Sequence, residues 1–571
     1  MENIEIARTF DEVADLLDIQ GGNPFRVRAY RTAARTIGTL STPVESMLER
    51  NGHALEQLPG IGADLARKIG CLCRTGELPL LKQLTRKTPE SLVTLLRIPG
   101  VGPKRAKLIY RGLRVKTLPQ LEKAARAGRL SRLRGMGTTI EQAILRGIEQ
   151  EKVHAARVPI ADAEAYVRPL VEELRATPGV GRLDIAGSLR RRVETVGDVD
   201  ILVAAADPAR AAATFVQYKD VKQVLARGET KCSVVLKSGL QVDLRIVPAS
   251  SYGAALYYFT GSKAHNIAVR RLALRRHLKI NEYGVFRRTR RIAGRTELDV
   301  LASVGLPWIP PELRENRGEI EAARAHRLPH LVELADIRGD LQMHTTDTDG
   351  KNTLAEMVEV CAGRGYEYIA ITDHTRAVRV AGGLTKAGFH KQSRAIDAIQ
   401  KKVTGLVILK GAEVDILDDG SLDLDDETLR ELDVVIVSVH SRFNMPKAAM
   451  TRRIVRALKH PRVHILGHPT GRLIGRREPY AIDMEEIVKA ASDYGVMLEI
   501  NAQPDRLDLS DLHIVMARQA GLKLAISTDA HRVEEIGYMP HGLDQARRGW
   551  CEAKDIGNTR PLETFRKLIH R

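Results

Sequence analysis

The sequence predicts a multidomain chain with helical, α+β and α/β parts, in that order. Three observations predict it. The first 150 residues carry apolar positions at helical spacing, punctuated by glycine and proline. From about residue 180 the pattern changes to short β-type runs with turn residues between them. From residue 336 strand-like apolar runs alternate with helical stretches, which argues for parallel βα units.

Residues 1–85 read as a first helical domain, broken at Gly21-Gly22-Asn23-Pro24 and again at Pro59-Gly60. Residues 86–150 continue as short helices in a second helical subdomain. Residues 151–252 hold the runs LDIAGSLRR, DVDILVA, CSVVLKSG and LQVDLRIV, enough for a small mixed sheet. Residues 253–313 are mixed in character and end in the rigid GLPWIPPEL. Residues 314–335 read as a charged helical linker that would leave the flanking halves movable and suits a monomer. Residues 336–571 carry YEYIAIT, LVILKGAEV, DVVIVSVH, VHILGHP, GVMLEIN and LKLAIST, the strands of a βα barrel or doubly wound sheet.

Composition bounds the function classes. The 571 residues are 43% hydrophobic and 28% charged, ordinary soluble globular material. No run approaches the ~18 consecutive apolar residues of a membrane span. The opening MENIEIARTFDEVADLL is acidic and amphipathic, unlike a secretory signal. Five scattered cysteines argue against a disulfide framework, so the cytoplasm is the expected compartment. Residues 1–335 hold 55 Lys and Arg against 36 Asp and Glu, a balance of +19, while 336–571 hold 34 against 35, a balance of −1. Six histidines precede residue 336 and eleven follow it. The basic part suggests a polyanionic partner, and the histidine-rich part suggests metal ligands.

Three short segments repeat: LPGIGADLA from residue 58, IPGVGPKRA from 98 and LRGMGTTIE from 133. Each sets two glycines (Gly60 and Gly62, Gly100 and Gly102, Gly135 and Gly137) ahead of a helix, and Lys104 follows the second pair. Such turns let amide N–H groups at the next helix start face a phosphate. The pattern resembles helix-hairpin-helix motifs, which grip the DNA backbone without reading sequence.

Gly187-Ser188-Leu189-Arg190-Arg191 is followed by Gly197-Asp198-Val199-Asp200. In a strand, residues i and i+2 share a face, so Asp198 and Asp200 point together at a cation. Paired carboxylates are costly unless a divalent ion neutralises them. Asp243, in LQVDLRIV, offers a third from a neighbouring strand. Two Mg²⁺ or Mn²⁺ ions could then activate a 3′-hydroxyl and clamp a triphosphate, with Ser188 and Arg191 on the outgoing phosphates.

These segments, together with YYFTGSKAHN, resemble the X family of DNA polymerases, over about residues 1–313. The resemblance implies a nucleotidyltransferase palm of mixed β-sheet over 151–252 and a nucleotide-binding subdomain over 253–313. It implies that Asp198, Asp200 and Asp243 carry both catalytic metals and that Asp243 receives the primer hydroxyl's proton. Gly187, Ser188, Arg191 and Gly197 match triphosphate-contacting positions. Tyr258, Phe259, Thr260 and Gly261 match a segment that lines the sugar and helps exclude ribonucleotides, and Asn266 matches a residue near the base. Gln241 and Lys263 depart from the beta-type enzyme, which has arginine and aspartate there. The added cation of Lys263 is expected to strengthen dNTP binding before DNA arrives. Lys68 occupies the place of the Schiff-base lysine of lyase-active relatives; as a residue it reads equally well as a phosphate contact.

In the last part, GDLQMHTTDTDG, AITDHT, KGAEVDI, VSVHS, LGHPT and STDAH place His344, Asp349, His374, Glu413, His440, His468, Asp529 and His531 at the ends of strand-like runs. Strand C-termini converge on one rim of a βα barrel, and such ligands suit Zn²⁺, Mn²⁺ or Fe²⁺. The set resembles the PHP domain (polymerase and histidinol phosphatase), which implies a distorted βα barrel over 336–571 with Zn²⁺ and/or Mn²⁺. The typical pattern opens with His-x-His; here Gln342 replaces the first His.

The resulting expectation is a gap-filling repair polymerase acting on gapped or primer-template DNA with dNTPs. Its PHP part would act as a Mn²⁺-dependent 3′→5′ exonuclease, with 3′-end and abasic-site processing. Two other readings stay open: a PHP part that is structural, favoured only by Gln342, and a template-independent nucleotidyltransferase. The glycine repeats and the YFTGS segment speak against the latter.

Overall fold

The first helix, Asn3–Gln20, stops where the sequence places its break. Gly21 takes a φ of +78°, open to glycine without steric cost. Pro24 then opens the helix Pro24–Thr39, and the Asn23 side chain accepts the Phe25 N–H at 2.9 Å. The computed structural model describes all residues except 1–2, 40–43, 45–46, 49–52, 59, 76, 90, 97, 99–100, 156 and 570–571.

The helices of residues 3–155 gather around two apolar cores. One joins Phe10, Tyr30, Ile37, Leu65, Ile69 and Leu84, with the Phe10 and Tyr30 rings 5.3 Å apart. The other joins Leu92, Ile98, Ile109, Leu121, Ile144 and Ile148. Amphipathic helices this short owe their stability to such burial rather than to propensity.

The chain divides into two units. One comprises Met1–Arg157, Val216–Ala255 and Asn266–Val304. It contains the helical cores and an antiparallel set in which Lys231–Leu236 pairs with both Val221–Arg227 and Gln241–Ile246. The other comprises Val158–Phe215, Leu256–His265 and Gly305–Arg571. It contains the antiparallel pair Val180–Ile185 and Asp198–Ala205, and all of the α/β part.

That α/β part is a seven-stranded parallel sheet in chain order: Gly339–Asp340, Tyr368–Ile371, Val407–Asp415, Val434–Ser438, Ile465–Leu466, Met497–Asn501 and Leu524–Ser527. Its ends meet. Met343 bridges Ala530 in parallel, His344 N–H donates to Ala530 O at 2.8 Å, and Thr528 N–H donates to Asp340 at 3.0 Å. The sheet is therefore a nearly closed barrel, with helices outside covering strands that are buried on both faces.

Strand residues alternate between two apolar clusters, as a period of two demands. Ile369, Ile371, Val435, Val437, Leu498 and Ile526 pack toward the helices. Tyr368, Ala370, Leu409, Ile436, Met497 and Ala525 form the inner cluster, joined by Phe565 of the last helix, Leu562–Ile569, with the Tyr368 and Phe565 rings stacked at 5.2 Å. Continuing the inner alternation toward the strand C-termini gives Glu413, Ser438, Gly467, Glu499, Asn501, Ser527 and Asp529. The interior thus turns from apolar to polar along the barrel axis. A Cβ on Gly467 would lie 2.5 Å from Ser438 Oγ, so the lumen is filled at that level.

The segment 314–335 belongs to the same unit as the barrel. Arg314 and Glu319 are fully buried there. His265 Nδ1 sits 2.6 Å from Glu319, and the Arg314 guanidinium lies 5.5 Å from the centre of the Tyr257 ring. Among the described residues no helix is long and apolar enough to cross a membrane.

Candidate functional site

At the C-terminal rim of the barrel the eight ligand-type residues expected there stand together. Glu413, 1% exposed, is the hub. Its Oε1 lies 2.9 Å from His468 Nε2 and 3.2 Å from His440 Nε2. Its Oε2 lies 3.3 Å from His374 Nδ1 and 3.4 Å from His344 Nε2. One carboxylate therefore offers each oxygen to a separate pair of imidazoles, the arrangement of a bridging ligand. Asp529 Oδ1 is 3.1 Å from His344 Nε2, and Asp349 reaches His374 at 3.7 Å and His531 at 3.5 Å. The three groups His344/Asp349/His374/His531, His374/Glu413/His440 and His344/Glu413/Asp529 each keep one ligand atom per residue within 4.8 Å of the others.

The backbone is bent to do this. His468 and Asp529 take positive φ values of 25° and 51°, conformations that non-glycine residues hold only where the surroundings impose them. Burial would raise the Glu413 pKa, but His374 and His440, with hydrogen bonds from His440 and His468, hold it well below the usual range. Burial pushes His374 down to about 3. His440 rises to about 9 against its burial, because Glu413 and Asp415 favour the imidazolium. Asp349 is lowered to about 2, its own burial outweighed by a hydrogen bond from His531 and by the His374 and His344 charges. So many opposed groups in one buried site fit divalent cations. Gln342 Oε1 is also buried there without a hydrogen bond, which suits ligation.

Of the other members of this site, Gln342 was singled out in the sequence, whereas Asp415, Asn501, Glu499 and Arg506 were not. Asp415 Oδ1 accepts both His440 N–H and His440 Nδ1–H, each at 3.1 Å, which fixes the imidazole tautomer. Asn501 donates to Asp529 at 3.0 Å and to the buried Glu499 at 3.2 Å. Gln342 Nε2 donates to Asp529 at 3.3 Å. Arg506 Nε lies 3.6 Å from Asp529 and lines a cavity of about 200 Å³ over the cluster, with the fully exposed Val380 at its mouth.

The carboxylates 198 and 200 lie on the strand Asp198–Ala205, where Asp198 is exposed, Val199 buried and Asp200 half-buried, so both acids share the outer face. Gly187, at φ +66°, packs so closely that a Cβ would come 2.8 Å from Asp200 Oδ2. Ser188 is half-buried in the short helix Gly187–Arg190, and Gly197 is half-buried just before the strand. Arg191 donates to Glu315 at 2.9 Å and to Thr260 O at 2.8 Å, and Arg190 donates to Thr260 Oγ1 at 2.7 Å. Tyr258 and Phe259 meet edge-to-face at 5.2 Å, Gly261 is buried and Lys263 is exposed. Asp243 stands in the other unit, 6% exposed. It accepts from Gln241 Nε2 at 2.9 Å and lies 3.1 Å from Lys231 Nζ. Asn266, half-buried, also lies in that unit.

The three glycine segments share one turn. Ile61 N–H donates to Leu58 O, Val101 to Ile98 O and Met136 to Leu133 O, at 2.9–3.1 Å. Gly60 and Gly135 take φ of +79° and +86°; Gly100 lies outside the described residues. A Cβ on Gly62, Gly102 or Gly137 would meet nothing within 4 Å, so that side of each hairpin is open to approach. Lys104 lies in the first turn of Pro103–Leu113. Lys68 is paired with Asp64 and stands 5.6 Å from the Tyr30 ring centre. Its partial burial lowers its pKa, but Asp64 and Tyr30 outweigh this and raise it, so the ammonium is the resting form.

Known families match in four places: a helix-hairpin-helix domain over residues 1–78, a SAM-like helix-hairpin-helix tandem over 92–150, the DNA polymerase beta thumb over 255–315 and a PHP domain over 340–503. The DNA polymerase/3′-5′ exonuclease PolX of Bacillus subtilis (strain 168) is 38% identical over 575 residues, covering 100% of both chains. The chain belongs to the PHP-bearing X family of DNA polymerases. It is thus an enzyme with DNA as its substrate. A probable phosphatase of Thermoanaerobacter sp. (strain X514) is 32% identical over 215 residues, 36% of this X-family chain and 83% of the relative. One of Caldanaerobacter subterraneus subsp. tengcongensis is 30% identical over 196 residues, 33% and 72% respectively.

Proposed function

We propose that this enzyme fills short gaps during DNA repair and trims 3′ ends with its PHP domain. The observation that carries the polymerase half is the shared outer face of Asp198 and Asp200 beside the Gly187–Arg191 turn. Asp198, Asp200 and, as the X-family resemblance implies, Asp243 would hold Mg²⁺ or Mn²⁺, which when bound supplies charge neutralisation for in-line nucleotidyl transfer. The chain's own part is to orient. Ser188 and Arg191 engage the triphosphate, the Tyr258-to-Gly261 segment lines the sugar, Lys263 adds a cation for the dNTP, and the three hairpins grip the template duplex. Gapped or primer-template DNA and dNTPs are the substrates, and a cytoplasmic monomer is the working form.

The PHP half rests on the Glu413 hub. Its five imidazoles and three carboxylates would hold Mn²⁺ or Zn²⁺, which supplies a nucleophile for phosphodiester hydrolysis. The name and full-length coverage of the B. subtilis relative support pairing a polymerase with a 3′→5′ exonuclease.

The test is single-nucleotide gap filling and Mn²⁺-dependent 3′ degradation by wild type, Asp198→Ala and His374→Ala. Asp198→Ala should lose gap filling and keep degradation, and His374→Ala should do the reverse. Gap filling that survives Asp198→Ala refutes the polymerase assignment. An absence of degradation in wild type would make the PHP part structural.

A further inference from the structure

A groove of about 930 Å³ is lined by Arg442, Phe443, Met445, Arg477, Pro479 and Tyr480. Two chain connections set it beside the metal cluster. Arg442 and Phe443 follow His440 by two and three residues. Tyr480 donates its hydroxyl to Pro469 O at 2.8 Å and its N–H to Thr470 O at 3.1 Å, immediately beyond His468.

The groove is aromatic below and basic around. Phe443 and Tyr480 lie nearly parallel, 12° apart, with ring centres separated by 6.1 Å. The Arg477 guanidinium lies 4.2 Å from the Phe443 ring centre, and its Nε donates to Gly471 O at 2.8 Å, which fixes its plane. Aromatic rings and guanidinium planes are the two surfaces on which proteins stack unpaired bases. Arg442 is exposed in the lining, where its Nε donates to Asp418 at 3.0 Å, and Glu478 is the one acid of the lining itself. The loop that carries Arg477 is tied to the loop of Arg506, which lines the metal cavity: Ile474 N–H donates to Asp505 O at 2.7 Å and Arg472 Nε to Arg506 O at 2.9 Å. The metal cavity, about 200 Å³, is smaller than the ~300 Å³ at which small-ligand sites begin, so a bound strand must continue outside it.

We propose that this groove is the subsite for single-stranded DNA entering the PHP centre. A base one step back from the reacting 3′ end stacks on the Arg477–Phe443 layer, and the strand passes from there over the joined loops of Arg477 and Arg506 into the metal cavity. The proposal rests on reading the Glu413 cluster as a phosphodiesterase centre.

The full chain with Mn²⁺ is assayed on a 5′-labelled single-stranded oligothymidylate and on bis(p-nitrophenyl) phosphate, a phosphodiester with no second nucleotide. In Phe443→Leu and Arg477→Ala the KM for the oligonucleotide should rise by about fivefold or more, the lower bound for one lost base stack. Hydrolysis of the small diester should match wild type. Arg477→Lys, which keeps the charge and loses the plane, should fall between. An unchanged KM, or equal losses on both substrates, overturns the subsite. A second readout needs no turnover: an oligonucleotide with 5-iododeoxyuridine next to its 3′ end is irradiated on the enzyme and the cross-linked peptide read by mass spectrometry. Attachment within residues 442–445 or 477–480 is expected, and attachment only elsewhere overturns the proposal. If wild type hydrolyses neither substrate, the phosphodiesterase reading fails, and the cross-link still judges the groove.

Discussion

Replacing Asp415 by Asn should weaken Mn²⁺ binding at the PHP centre about tenfold while leaving the fold intact. The change is nearly isosteric. Asp415 Oδ1 accepts two hydrogen bonds from His440, from the backbone N–H and from Nδ1–H, both at 3.1 Å. An asparagine oxygen can accept the same two, but without charge. Hydrogen bonds to charged groups contribute about 1.5–3 kcal/mol and neutral ones about 0.5–1.5 kcal/mol. The difference is about 1–2 kcal/mol, or about five- to thirty-fold in affinity. That overlaps the ~10–100-fold cost of removing partners that orient metal-bound histidines. The assay is Mn²⁺ titration of diester hydrolysis, paired with calorimetric Mn²⁺ binding and a thermal melt. The expected result is a right-shifted metal dependence, a maximal rate near wild type at saturating Mn²⁺, and a melt lowered by no more than several degrees, about 2–4 °C per kcal/mol. An unshifted Mn²⁺ dependence would show that His440 does not need Asp415, and the ligand role of His440 would fall with it.

Four further outcomes follow from the geometry. Glu319→Ala strands His265 in a fully buried site and removes an acceptor for two backbone N–H groups, and at about 1–3 kcal/mol per group left unsatisfied it should cost about 3 kcal/mol or more; an unmoved melting temperature would contradict the buried pair. Burial pushes the Asp544 carboxyl up to about 7, with Arg192 pulling the other way. The folded protein then holds this proton between the unfolded pKa of about 3.9 and 7, so the contribution is complete below that range and is lost as pH rises through it. The melting temperature of wild type relative to Asp544→Asn should therefore fall from pH 4.5 to 7 and level above, and a constant difference would refute it. Lys263→Ala should weaken dNTP binding in the absence of DNA by about tenfold, the loss of one charge-assisted contact, read by equilibrium dialysis; equal affinity removes that role. Lys68→Ala should abolish borohydride trapping on a nicked abasic substrate if the lysine is a lyase nucleophile. Its pairing with Asp64 favours trapping that persists, leaving Lys68 as a phosphate contact.

The clustering of His and acidic residues at the barrel rim was legible because each strand-like run ends in a residue that would be costly there without a partner. A histidine or acid after VSV, LG or AIST is a local pattern. Asp415 was half-legible, since it follows Glu413 by two on one strand and so shares its face. Arg506 was not, because it lies in a loop whose path depends on the closed barrel. The segment 314–335 shows the same limit. Its charges read as a solvated tether, whereas Arg314 and Glu319 are buried because Tyr257 and His265, more than fifty residues earlier, supply their partners. Local composition carries no trace of such pairing. The hairpin turns were fully local, and the third, without its proline, makes the same hydrogen bond as the other two.

Arg548, on the helix Met539–Arg548, donates to the backbone carbonyl of Arg191 at 2.8 Å and shares Glu315 with the Arg191 side chain, while Arg472 joins Glu194 at 2.6 Å. Cutting the chain near residue 335 to isolate a synthetic fragment would remove these supports from the very turn assigned to the triphosphate. A shortened protein that incorporates nucleotides poorly would then report a lost scaffold rather than a lost exonuclease, and point substitutions at the barrel rim are the cleaner way to separate the two chemistries.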